Sequence, residues 1–176
     1  MIELDEWALR VLVAEDETLI RLDLRGLLEA NGFVVCGEAR DGEEAVRLAR
    51  ELAPDVVVMD VKMPGLDGIE AARRIVAERP LPIVMLTAYG DRALVERAIG
   101  AGAFAYLVKP FREDDVVAAL KAAFARHEEL VAARRTIGSQ REPIEVELQG
   151  RAGRWPLRLA RRPDGSLRVD VLPDER

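Results

Sequence analysis

One short segment constrains the fold of this chain more than any other: Val56–Asp60, four apolar residues followed by a carboxylate. An unbroken apolar run of this length, preceded by Pro54, predicts a strand buried on both faces. Such strands belong to parallel sheets covered by helices, and these sheets bind ligands outside the carboxyl ends of their strands. Asp60 lies at that end, and a loop containing Pro64 and Gly65 follows it. We therefore expect the Asp60 carboxylate to face a crevice, and we interpret it as a nucleophile.

The rest of residues 9–135 repeats this arrangement, because short apolar strands alternate with segments that have the apolar period of a helix. Asp41 and Asp67, each followed three residues later by Glu, are typical helix N-caps, and Asp91 precedes the fourth helix. The predicted strands comprise residues 9–14, 33–36, 56–60, 83–86 and 104–108, and the first and last helices comprise residues 18–30 and 113–135. Five strands alternating with five helices predict an α/β fold with a doubly wound, five-stranded parallel sheet.

The pattern changes after residue 135. Residues 136–142 contain glycine and serine and predict a linker between a first domain, residues 1–135, and a C-terminal extension, residues 143–176. Apolar and polar residues alternate in the extension, as they do in half-exposed strands, over residues 144–148, 155–159 and 167–172. Residues 163–166 predict a hairpin turn. We expect a small antiparallel β unit of unknown role, too small to be stable without another surface to cover it.

Composition narrows the classes of protein to which the chain can belong. Of its 176 residues, 49% are hydrophobic, which is enough to form a core, and Cys36 is the only cysteine, which excludes an internal disulfide. No apolar run approaches the ~18 residues of a membrane span, and the acidic N-terminus does not resemble a signal peptide. We therefore expect a cytoplasmic protein without membrane contact. The net charge is −6, yet residues 134–176 carry ten arginines against seven acidic residues.

Reactive residues follow four of the predicted strands: Glu15, Asp16, Asp60, Thr87 and Lys109. Because the carboxyl ends of parallel strands meet at one edge of a sheet, we expect them to form one site. Adjacent carboxylates repel one another unless a cation lies between them, and a hard divalent ion such as Mg²⁺ suits them. The site also suits an incoming phosphoryl group, whose oxygens the metal, Thr87 and Lys109 would bind while Asp60 attacks phosphorus.

These residues lie in motifs that resemble those of the receiver domains of two-component response regulators. The resemblance extends from about Leu9 to Val131. Its motifs are Glu15-Asp16, Met-Asp-Val-Lys-Met-Pro-Gly-Leu-Asp-Gly at residues 59–68, Leu-Thr-Ala at residues 86–88 and Tyr-Leu-Val-Lys-Pro-Phe at residues 106–111. The resemblance implies a flavodoxin-like sheet with strand order 2-1-3-4-5. It also implies a regulator that transfers phosphate only to itself, rather than a free-standing enzyme.

The resemblance further implies a role for each site residue. Asp60 would accept a phosphoryl group from a histidine kinase or a phosphotransfer protein. Mg²⁺ would be held by Asp16, Asp60 and the backbone carbonyl of Lys62, with Glu15 nearby. Variation at the position of Lys62 leaves such a site intact, because the ligand there is the main-chain oxygen.

A conformational switch is also implied. The hydroxyl of Thr87 would move toward the phosphoryl group, and the ring of Tyr106 would move inward behind it. The resulting change would alter the face formed by helix four, strand five and helix five. It would thereby also alter a homodimer that forms through this face. The peptide bond before Pro110 is expected to be cis.

Two outputs remain open. Among receivers, the chain most resembles those of ANTAR-type regulators, but the residues after Arg135 lack the helical RNA-binding module of that group. The favoured hypothesis is a phosphorylation-controlled protein–protein interaction or self-association. The alternative is a nucleic-acid-binding regulator that contacts phosphates through the arginines of its tail. A net charge of only +3 and a single aromatic residue, Trp155, make the tail a weaker candidate for nucleic-acid binding.

Overall fold

A computed structural model of the chain describes residues 8–88, 92–139, 144–150, 153–161 and 167–171. The chain divides into two compact units, Met1–Glu128 and Glu129–Arg176. The first contains a five-stranded parallel sheet in the order β2-β1-β3-β4-β5. Its strands are β1 (Arg10–Ala14), β2 (Val34–Ala39), β3 (Val56–Asp60), β4 (Ile83–Thr87) and β5 (Ala105–Val108). The predicted α/β class and strand order are therefore confirmed.

Helices cover both faces of this sheet. They are α1 (Thr18–Ala30), α2 (Gly42–Leu52), α3 (Gly68–Glu78), α4 (Arg92–Gly100) and α5 (Glu113–Ser139). Alternate residues of β3 enter two separate cores, because successive side chains of a strand point to opposite faces. Val57 and Met59 pack with residues of α2, α3 and α4, whereas Val56 and Val58 pack with residues of α1 and α5. Every residue of β3 is buried, as its unbroken apolar run predicts.

The helix N-caps were largely readable from the sequence. The Asp41 carboxylate accepts a hydrogen bond from the backbone N–H of Glu44 at 2.8 Å, and Asp67 accepts one from Glu70 at 2.8 Å. Both predicted caps are confirmed. Asp91, the third predicted start, lies outside the described residues.

Strand β2 is longer than predicted, and a bulge separates its two halves. Val35 pairs with Val11 but Gly37 pairs with Leu12, so Cys36 is the additional residue. Beyond the bulge the strand continues through Glu38 to Ala39. A glycine and a glutamate end the apolar pattern there, and this is why the sequence alone predicts a strand that stops at residue 36.

A close approach fixes the loop that follows β3. An added Cβ on Gly68, the first residue of α3, would lie 1.9 Å from the backbone oxygen of Asp60. The N–H of Gly68 donates to the carbonyl of Val61 at 2.9 Å, and Gly65 has a φ of +73°. Glycine at residue 68 therefore holds the start of α3 directly against the end of β3.

The last helix and three further strands complete the described chain. Helix α5 occupies the first four residues of the predicted linker, 136–142, because helical hydrogen bonding continues through Gly138 at a cost of about 1 kcal/mol. Strands β6 (Ile144–Gly150), β7 (Gly153–Arg161) and β8 (Leu167–Val171) pair antiparallel in the order β6-β7-β8. The predicted turn at residues 163–166 lies outside the described residues. No helix in the described part of the chain has the length and hydrophobicity that a membrane span requires.

Candidate functional site

The centre of the candidate site is Asp60, the last residue of β3. Its side chain is 8% exposed, and its Oδ2 atom lies 3.1 Å from the Nζ atom of Lys109. Lys109 follows β5, which is separated from β3 in the sheet by β4. Its ammonium also lies 2.7 Å from the Oε2 atom of Glu15. One lysine therefore binds two carboxylates that come from different strands.

Two of the carboxylates follow β1, and they differ in their surroundings. Glu15 is fully buried and Asp16 is exposed. Each of Glu15, Asp16 and Asp60 has a carboxylate oxygen within 4.8 Å of those of the other two. Burial and the nearby charge of Asp60 raise the pKa of Glu15, although the hydrogen bond from Lys109 acts in the opposite direction. Three neighbouring carboxylates, two of them bound to one ammonium, form a cluster in which negative charges repel one another.

Lys109 is held in place by its backbone as well as by its charge. Its N–H donates to the carbonyl of Thr87 at 2.7 Å, and the peptide bond to Pro110 is cis, as predicted. Burial alone would lower the pKa of Lys109. The hydrogen bond to Glu15 and the charge of Asp60 outweigh that effect, and the net result is a raised pKa. The ammonium therefore remains charged at neutral pH.

The other predicted site residues lie around this cluster. Thr87 is buried at the end of β4, one residue beyond Leu86, which pairs with Asp60. Tyr106 lies on β5 opposite Met85, and 45% of its surface is exposed. Lys62 is exposed two residues after Asp60, and lines the same open cleft as Asp16. The described geometry thus brings Glu15, Asp16, Asp60 and Lys109 together and places Thr87 at the neighbouring strand end.

A buried arginine beside this site was not recognised from the sequence. Arg21 of α1 is 7% exposed, and its guanidinium binds the backbone carbonyl of Glu15. A signal was present, since Arg21 precedes Leu24 and Leu28 by three and seven residues and therefore falls on their buried face. A charged residue on the apolar face of a helix usually has a specific partner when it is buried.

Comparison with known proteins identifies the family. The family described as response regulator receiver domain matches residues 11–121. The chain belongs to this family. It is a two-component response regulator receiver rather than a catalytic enzyme, and its acidic triad is typical of a receiver Mg²⁺ site. Receiver domains interact with histidine kinases and related partners.

Individual relatives agree with this assignment. The receiver is 52% identical over 137 residues to transcriptional regulatory protein PdtaR of Mycobacterium tuberculosis, an ANTAR-type regulator; the alignment covers 78% of this chain and 67% of the relative. The predicted resemblance to that group is therefore confirmed. A solved receiver domain of a modulated diguanylate cyclase from Desulfovibrio desulfuricans is 36% identical, with a TM-score of 0.65 over 69% of this chain and 98% of that chain.

A second structural neighbour is a chain of the CheX–CheY complex from Borrelia burgdorferi, which contains BeF₃ and magnesium. It is 28% identical to this receiver, with a TM-score of 0.64 over 66% of this chain and 89% of that chain.

Proposed function

We propose that the chain is a cytoplasmic response regulator that accepts a phosphoryl group on Asp60 from a histidine kinase or phosphotransfer protein. The observation that carries this proposal is the environment of Asp60, a nearly buried carboxylate at a strand end that is bound to the ammonium of Lys109 at 3.1 Å. A carboxylate oxygen of Asp60 attacks phosphorus, an acyl phosphate forms, and the bond from phosphorus to the donor breaks. Lys109 then lies beside the new negative charge.

The residues of the acidic cluster fit a bound Mg²⁺. Three carboxylates lie within 4.8 Å of one another while Lys109 supplies one positive charge to two of them, so negative charge is in excess. Hard oxygen ligands of this kind suit Mg²⁺, which neutralises the charge of a phosphoryl group during its transfer. We infer that Asp16, Asp60 and the backbone carbonyl of Lys62 hold the ion. The buried Glu15, which is bound to Lys109, would lie near these three ligands.

Phosphorylation is proposed to act on a surface that includes β5, the strand that pairs with β4 on the side away from β3 and Asp60. In the described structure Ile99 of α4 and Tyr106 and Val108 of β5 are exposed apolar residues, and we name these three residues the α4–β5 patch. Movement of the Thr87 hydroxyl toward the phosphoryl group would leave space for the ring of Tyr106 behind it. The patch, together with α5, would then change shape and control self-association.

We also propose that residues 1–135 form the receiver domain and that residues 143–176 form a small antiparallel β extension that binds protein. The strand register supports this choice over nucleic-acid binding. Arg158 lies opposite Glu145 on one side and Asp170 on the other, so acidic residues flank the central arginine of the sheet. Leu157 and Leu159 pair only with apolar residues: Val146 and Val171, and Ile144 and Val169. Paired apolar positions favour a protein-covered face.

Labelling with a small phosphodonor tests the receiver proposal. With acetyl phosphate and Mg²⁺, we expect the intact mass of the full chain to increase by one phosphoryl group, because the Asp60 oxygen displaces acetate. Removal of the ion with EDTA should abolish the increase, since the excess negative charge would then repel the donor. Equal labelling with and without Mg²⁺ would contradict the proposed metal site.

Light scattering after size-exclusion chromatography tests the output. We expect BeF₃ with Mg²⁺, used to mimic the phosphoryl group, to change the mass of the particle formed by the full chain. Ile99→Glu should abolish this change because it introduces charge into the α4–β5 patch. Leu19→Glu is the matched control, because Leu19 is 77% exposed on α1 and lies outside the patch. An identical particle mass with and without the mimic would overturn this proposal.

The role of the extension needs a separate comparison. We expect the full chain to retain protein partners that a chain ending at Arg135 loses. A salt-dependent electrophoretic shift of mixed RNA or DNA by the full chain alone would instead favour the nucleic-acid alternative.

A further inference from the structure

One buried cation, Arg21, binds the backbone of the loop that carries Glu15 and Asp16. The Nη1 atom of Arg21 donates to the backbone carbonyl of Glu15 at 2.7 Å and, more weakly, to that of Asp16 at 3.4 Å. Its Nη2 atom lies 3.4 Å from the hydroxyl of Thr18. Arginine is suited to this arrangement because its guanidinium presents several donors in a fixed plane.

A carboxylate from the neighbouring strand holds Arg21 from its other side. Oε1 of Glu38, on β2, lies 3.6 Å from Nε of Arg21, and Oε2 of Glu38 accepts a hydrogen bond from Nη1 of Arg25 at 3.2 Å. Glu38 is partly buried, with 27% of its side chain exposed. Arg21 is therefore fixed between a strand carboxylate and the backbone of the acidic loop.

The start of α1 lacks the side-chain cap that the next two helices possess. Asp41 and Asp67 cap α2 and α3, but Glu17, in the corresponding position of α1, makes no side-chain capping hydrogen bond. The carbonyls of Glu15 and Asp16, in the loop before α1, bind the side chain of Arg21, the fourth residue of the helix. Within the loop, the backbone N–H of Glu17 donates to the carboxylate of Glu15 at 3.1 Å, and Arg21 adds contacts to the carbonyls of Glu15 and Asp16.

We propose that Arg21 is a positioning residue for the metal site. By binding the carbonyls of Glu15 and Asp16, it fixes the backbone from which their carboxylates reach Asp60. This inference rests on the proposed role of Mg²⁺. It adds that the affinity of the site is set partly by a residue that contributes no ligand, and that Glu38 supports this residue from β2.

Titration calorimetry with Mg²⁺ on the full chain tests this inference. We expect Arg21→Met to weaken Mg²⁺ binding by about 10- to 100-fold, the usual effect of removing a group that orients metal ligands. Arg25→Met is the matched control, because Arg25 shares Glu38 with Arg21 while its guanidinium binds Glu29 and Glu38 rather than the carbonyls that Arg21 binds. Its Mg²⁺ affinity should equal that of the unaltered chain. Arg21→Lys should recover part of the affinity, since an ammonium can bind one of the two carbonyls.

Urea unfolding without metal separates positioning from stability. An Arg21→Met variant that loses stability but binds Mg²⁺ as tightly as the unaltered chain would overturn the inference. If Arg21→Met does not fold, Glu38→Gln serves instead: it leaves Arg21 in place, and we expect it to weaken Mg²⁺ binding by a smaller factor. Unchanged affinity in that variant and in Arg21→Lys would equally overturn the inference. Failure of the unaltered chain to bind Mg²⁺ is a different result, because it would remove the proposed metal site itself.

Discussion

Replacing Asp60 with asparagine is expected to abolish labelling of the receiver by acetyl phosphate and Mg²⁺ while the fold persists. The amide has nearly the same shape as the carboxylate, and its oxygen can still accept a hydrogen bond from Lys109, but it is not a nucleophile at neutral pH. Intact mass spectrometry measures the loss, and circular dichroism tests the fold. Labelling that persists in Asp60→Asn would place the acceptor elsewhere.

The same variant should be more stable than the unaltered receiver in metal-free buffer. Asp60 lies near Glu15 and Asp16, and the ammonium of Lys109, bound to Glu15 and Asp60, offsets part of their repulsion. Removing one of the three negative charges is expected to raise the free energy of unfolding by an amount on the order of 1 kcal/mol. A stability lower than that of the unaltered chain would show that the attraction of Lys109 exceeds the repulsion.

Asp55→Asn provides the matched control for both measurements. Asp55 precedes β3 at the end opposite Asp60, and its Oδ2 atom accepts a hydrogen bond from the backbone N–H of Arg10 at 2.8 Å. An amide oxygen can accept the same hydrogen bond. Labelling should therefore be unchanged in this variant, and any loss of labelling would indicate a general effect of altering β3.

Gly68→Ala is expected to destabilise the receiver by about 3 kcal/mol, the upper end of the usual range for overpacking. The added methyl group would lie 1.9 Å from the backbone oxygen of Asp60, and backbone cannot yield as the end of a flexible side chain can. Either α3 or the end of β3 must move. Because the displaced atom belongs to Asp60, labelling should also slow. Urea unfolding and the rate of labelling measure the two effects.

Gly26→Ala makes the same chemical change where there is room for it. Gly26 is exposed within α1, and no atom lies within 4 Å of an added Cβ. Alanine is favoured over glycine in a helix by about 1 kcal/mol, so this variant should be more stable than the unaltered chain. Opposite signs for the two variants would support a steric cause at Gly68. Equal destabilisation would contradict it.

Site residues whose positions follow from strand order could be predicted from the sequence. Contacts that depend on how closely two elements pack could not. Asp60 and Lys109 each end an apolar strand, and the alternating pattern was sufficient to bring them to one edge of the sheet. Nothing local to Gly68 reveals how closely α3 approaches Asp60. Arg21 finds its partners in a loop and on β2, so its role depends on tertiary structure. Glu38 could not be assigned to β2 from the sequence, because it follows the bulge at Cys36, where the apolar pattern ends.

The shared lysine has a consequence for how the two strand ends are coupled. The ammonium of Lys109 lies 2.7 Å from Glu15 and 3.1 Å from Asp60, so one cation links the residue after β1 to the last residue of β3. A change in the charge of either carboxylate therefore alters the electrostatic surroundings of the other through the lysine that they share. The two strand ends respond as one unit, rather than independently, to a charge that arrives at Asp60.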